Sequence, residues 1–179
     1  MTPGIGHNSG RDSSGYAGRL HLWRRARADL VAPRLPIEIV RLRVRRAAAL
    51  GLPYRTYASI RATTGRDVIA LLFSSNALDM RPHPAPSALA KLAGVEAERG
   101  ALIHAPLPEA APAPLDWAAR APGFTDTWSA TRRRLDAILA TRALPRDGVV
   151  LIGATAVERE WCAAARAAGW VPREAYFGA

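Results

Sequence analysis

Lysine is almost missing from this 179-residue chain, where Lys91 is the sole lysine among 25 cations. Schiff-base enzymes and phosphate-loop enzymes need a lysine at a set place. Lys91 lies in no glycine-rich loop, which excludes both classes. Cysteine is equally scarce, with Cys162 standing alone. That removes a disulfide framework, a CxxC redox pair and a cysteine-rich zinc site. A reducing compartment is the expected home. Long apolar runs are also absent: the longest clear one, Val68–Phe73, falls far short of the ~20 residues that cross a bilayer. The start of the chain lacks the apolar segment of a secretory signal. Its arginine-rich, acid-poor character leaves a cleaved organelle presequence as an alternative, although the basic stretch runs past typical targeting length. The chain is read as cytoplasmic. The four histidines (His7, His21, His83 and His104) form no HxH or HxxxH pair, so neither a metal nor a cofactor is expected.

Acids are the last scarcity, and a local one. Residues 1–66 hold 13 arginines against Asp12, Asp29 and Glu38, whereas residues 67–179 hold 12 cations and 12 acids. The whole net charge of +10 therefore belongs to the first third. Such a segmental field attracts polyanions and says little about fold.

The remaining composition, 49% apolar and 22% charged, describes a globular chain long enough to bury a sizeable core without staples. Residues 1–18 are Gly/Ser-rich and read as a tail. An arginine-rich helical lobe is expected over residues 19–66. Arg19 to Val31 has apolar residues at helical spacing, Pro36 opens a second helix, and Gly51 with Pro53 stops it. A third short helix runs from about Pro53 to Thr63 and closes at Gly65.

Residues 67–179 alternate strands and helices, which predicts an α/β domain with a small, mainly parallel sheet of three to four strands. Its strands fall at Asp67–Phe73, Ala101–His104, Val149–Ile152 and, briefly, Trp170–Val171. Ser87 is expected to cap one helix and Thr125 or Asp126 another. The Thr155-x-x-Glu158 capping box opens the last, which ends at Gly169. Pro106–Pro114 reads as an exposed linker.

Two constellations can carry function. The stretch 36–63 has the outline of a helix-turn-helix: Ala47 four before Gly51, then Leu52, with Tyr57 and Ile60 facing inward. Such a unit sets its second helix in the major groove. Arg55 and Arg61 would meet phosphates or guanine edges, and Arg41, Arg45 and Arg46 would meet phosphates. Trp23 stands beside Arg24, Arg25 and Arg27, an arrangement suited to stacking on a single strand. The rival reading is an ordinary helical hairpin whose arginines pair with acids of the neutral domain.

The second constellation is the carboxyl edge of the sheet, where ligands bind in open α/β folds. That edge would show Ser74, Ser75 and Asn76, then His104, then Gly153 and Thr155. Amides at the Thr155 helix start can hold a phosphate. Ser75, His104 and Glu158 make a nucleophile, base and orienter only if the fold brings them together. No G-x-S-x-G elbow surrounds either serine, so no catalytic residue is assigned. The blander reading makes Ser74, Asn76 and Thr155 turn and cap residues.

The charge split favours a nucleic-acid-binding accessory or regulatory protein. The alternatives are a small α/β enzyme or nucleotide binder working at the carboxyl edge, and an adaptor docking an acidic protein partner.

Overall fold

A computed structural model describes residues 35–178. The expected tail, the Arg19–Val31 helix, Arg24 and Arg25 lie outside the described residues. The chain divides into two compact units between Val40 and Arg41, and the core, sheet and site below belong to the second.

That unit is built on five parallel strands: β1 (Ala70–Ser74), β2 (Glu98–Ile103), β3 (Trp117–Arg120), β4 (Val149–Gly153) and β5 (Gly169–Pro172). Their order is β3-β2-β1-β4-β5, with β1 at the centre. Helix α1 (Ile37–Ala49), from Arg41 onward, and helices α2 (Tyr54–Thr64), α3 (Pro86–Leu92), α4 (Trp128–Thr141), α5 (Ala156–Ala165) and α6 (Arg173–Phe177) complete it. The α/β class holds, but the sheet has five strands rather than three to four. β3 escapes a reading by pattern because WAAR is short, alanine-rich and preceded by a proline-rich segment.

Strands β1 and β4 are buried along their whole length, as the unbroken apolar runs require when both faces are covered. Alternate side chains serve two cores. Leu71, Phe73, Ile103 and Ile152 pack with Leu50, Tyr57 and Tyr176 on one face. Ala70, Leu72, Leu102 and Leu151 pack with Leu135, Leu139 and Trp161 on the other.

Two glycines are required by geometry. Gly51, at φ +66°, turns the chain between α1 and α2. Gly100 lets the Trp117 indole lie flat on β2, where any Cβ would collide with the ring.

The basic segment from Arg41 onward is a layer of this domain, since Ala47, Leu50, Tyr57 and Ile60 share the core of β1. The boundary drawn at 66/67 thus falls inside one packed unit. It is pinned by Asp67, which accepts from Tyr57 Oη at 2.7 Å and from Arg46 Nε at 2.9 Å. Burial alone would raise the Asp67 pKa. The Tyr57 hydroxyl and the Arg46 guanidinium outweigh it and hold the carboxyl below its usual range. Among the described residues no helix is long and apolar enough to cross a membrane.

Candidate functional site

The sheet brings the three edge segments together. Ser74 ends β1 and its Oγ accepts from Ala77 N at 3.0 Å, a turn role. Ser75 follows, and its Oγ lies 2.7 Å from His104 Nδ1, just past β2. The same Oγ accepts the His104 backbone N–H at 3.2 Å. With the Ser75 hydroxyl donating to Nδ1, a neutral imidazole carries its hydrogen on Nε2, on the side of the Glu158 carboxylate.

Across the sheet, Asn76 Nδ2 donates to Glu158 Oε1 at 2.8 Å. Glu158 Oε2 accepts from Ala154 N at 2.7 Å and Thr155 N at 3.0 Å. The Thr155 hydroxyl completes the capping box by accepting from Glu158 N. Gly153, ending β4, has no room for a Cβ, which would meet Trp170 and approach Glu158 Oε2 at 3.0 Å.

Ser75, His104 and Glu158 are thus one buried line joining the ends of β1, β2 and β4, with His104 Nε2 at 3.7 Å from Glu158 Oε1. The order resembles a nucleophile, base and orienter, but Ser75 is 2% exposed. Its hydroxyl positions the imidazole and meets no substrate. The Thr155 helix start is equally unavailable to a phosphate, because Glu158 already takes the Ala154 and Thr155 amides. The crevice where strand order reverses, between β1 and β4, is plugged by the chain's own carboxylate.

Open space lies one strand over. A recess of about 400 Å³ sits beyond the ends of β2 and β3 and is lined by His104, Arg120, Phe124, Asp126 and Arg134 among others. Arg120 donates to Leu107 O at 2.9 Å and reaches Glu109 at 3.5 Å. Arg134 lies 3.8 Å from Asp126. Both ion pairs are long and part-exposed, so each contributes ~0–1 kcal/mol and is easily exchanged for another anion. The His104 ring lies between Phe124, stacked at 4.8 Å and 4°, and Trp161, tilted 34° at 5.2 Å.

Two buried side-chain polar atoms among the described residues lack a hydrogen-bond partner: Asp136 Oδ1 and His104 Nε2. The first faces the Arg146 guanidinium at 3.1 Å. His104 Nε2 faces only Glu158 Oε1, at 3.7 Å and beyond hydrogen-bond reach, and such atoms are rare enough to need a reason. A second hollow of about 430 Å³, lined by Arg55, Ser59 and Trp170 among others, lies at the amino end of β5. It contains no such atom.

Burial pushes the His104 pKa down from 6.5, and Glu158 opposes this only in part. The unfolded chain therefore binds the proton first as pH falls, so stability should decline from about pH 6.5 downward, before the carboxylates titrate. Urea unfolding between pH 7.5 and 5 should show this decline, and His104→Gln should flatten it.

Of the basic residues, Arg46 donates to Asp67, Val68 O and Glu96 O, and Arg61 faces Asp67 at 3.6 Å. Arg41, Arg45 and Arg55 are exposed and make no ion pair among the described residues. Phe124, Arg120 and Trp161 escaped the sequence reading as site residues, and Arg134 reads from the sequence as part of a solvated helix face. Their signal was the PGFTD turn, legible only once β3 is known to precede it.

Comparison with protein-family models, curated proteins and solved structures finds no match for this chain.

Proposed function

We propose that this protein binds a small anionic ligand in the recess beyond β2 and β3. Arg120 and Arg134 supply the countercharge, and His104 forms part of the floor. The single observation that carries the reading is His104 Nε2, a buried ring nitrogen without a hydrogen-bond partner in a group that lines the recess. Ser75 fixes the tautomer and Glu158 the ring's orientation, so one N–H stands ready for a ligand oxygen. The recess volume lies within the range of small-molecule sites.

Calorimetric titration with ribose 5-phosphate tests this. Saturable binding is expected. Arg134→Gln or Arg120→Gln should weaken it by about tenfold or more, since a charge-assisted hydrogen bond contributes ~1.5–3 kcal/mol. Absence of binding, or affinity indifferent to both substitutions, would overturn the proposal.

A second reading rests on Arg41, Arg45 and Arg55, exposed guanidinium groups without an acid among the described residues. They suit phosphate contacts along a nucleic acid, each releasing about one counterion. A gel shift across a salt series should therefore show the triple alanine variant with a log–log slope shallower by roughly 2–3 than that of the wild type. An unchanged slope would remove this reading.

A further inference from the structure

We infer that the ligand of the proposed site is a single-ring aromatic anion, with its ring seated against Phe124 and Trp128. The inference rests on the anion-binding reading and adds a ligand class to it. Three large apolar side chains around a neighbouring hollow are turned to solvent: Phe124 at 61%, Trp128 at 52% and Val157 at 39% exposure. Together with Trp161, Thr131 and Glu160 they line this hollow, of about 140 Å³. A cavity of ~150 Å³ takes one benzene ring, so this hollow has room for one six-membered ring.

The hollow adjoins the anion recess, because Gly123, Phe124 and Asp126 line both. Phe124 is the shared wall. Its ring is already stacked on the neutral His104 imidazole, which shows that this position accepts a flat group in parallel contact. Two carboxylates stand at the ring hollow: Asp126, held by Gly123 N at 2.8 Å, and Glu160. Glu160 lines that hollow alone, whereas Asp126 lines both hollows beside Arg134. The ligand's negative charge must therefore point away from Glu160 toward Arg120 and Arg134, with the electropositive ring edge toward Glu160. A ring carrying its phosphate or carboxylate on a short arm satisfies both hollows at once.

Tryptophan fluorescence reads the inference directly, since Trp128 and Trp161 line the ring hollow. Phenyl phosphate, ribose 5-phosphate and AMP serve as probes. Phenyl phosphate should quench the emission and bind about tenfold more tightly than ribose 5-phosphate. AMP should gain nothing from its purine. Trp128→Ala and Phe124→Ala replace exposed side chains and should keep the circular dichroism of the wild type. Each should abolish the preference for phenyl phosphate, and Trp128→Ala, which lies outside the anion recess, should leave ribose 5-phosphate affinity in place. Equal affinities for phenyl and ribose 5-phosphate, both sensitive to Arg134→Gln, would sink the ring inference and leave the anion site standing. Failure of all three probes would sink both.

Discussion

Glu158→Ala should lower stability by about 3 kcal/mol, because it strips the acceptor from two backbone N–H groups at the part-buried start of α5. Ala154 N and Thr155 N both donate to Glu158 Oε2 and have no other partner in the α5 cap. The carboxylate is 0% exposed, so water cannot replace it without opening the edge. Asn76 would also lose its acceptor, at smaller cost because Asn76 is exposed and its amide can turn to solvent. For a domain of this size the change corresponds to a melting temperature lower by roughly 6–12 °C. Glu158→Gln keeps one carbonyl oxygen and should cost clearly less. Urea unfolding followed by circular dichroism measures both. A loss below about 1 kcal/mol for the alanine variant would show that the edge is not stapled by this residue.

Trp161→Ala should be costlier still, at about 3–5 kcal/mol, the range for deleting a large aromatic from a packed interior. Trp161 is 2% exposed and packs with Leu135, Leu139 and Leu151 in the core beneath α4 and α5. It also backs the His104 ring. The cavity would free the imidazole to tilt, so ligand affinity should fall with stability. Trp161→Phe fills part of the volume and should separate the effects, retaining most of the stability while loosening His104. Comparing the unfolding midpoints of the two variants, together with the His104 ring signals of the phenylalanine form, tests this. Equal stability of Trp161→Ala and wild type would contradict the packing described.

How much of this was legible depended on whether a contact is local. The Thr155-x-x-Glu158 box is a four-residue pattern, and both of its reciprocal bonds are present. The Val68–Phe73 run could only be a doubly covered strand, and β1 is that strand. By contrast, the Asn76–Glu158 bond spans 82 residues, and no pattern announces it.

Turn signals also misled in detail. Ser87 was expected to cap α3, yet Pro86 already lies in its first turn behind Ala85. Gly169 was expected to end α5. Arg166 does so at φ 52°, and Gly169 opens β5, leaving space for Ile60. The α4 cap is Thr127, one or two residues beyond the expected Thr125 or Asp126. The arginine count was correct, but count does not reveal pairing: Arg46 and Arg61 converge on Asp67, and Arg66 meets Asp147 at 3.0 Å. The site itself was half visible. His104 was named from the sequence, as were the Ser75 and Glu158 that hold it, whereas the rim of the recess follows β3, the strand that was missed.

The central claim is that His104 holds a neutral imidazole whose Nε2–H lacks a hydrogen-bond partner until an anion supplies one. Nitrogen-edited NMR of the His104 ring at neutral pH, during titration with ribose 5-phosphate, tests it most directly. The free protein should show protonated Nε2 and unprotonated Nδ1, and the Nε2 signal should move saturably as ligand is added. A ring that carries its proton on Nδ1, or an Nε2 signal that stays fixed throughout the titration, would contradict the account.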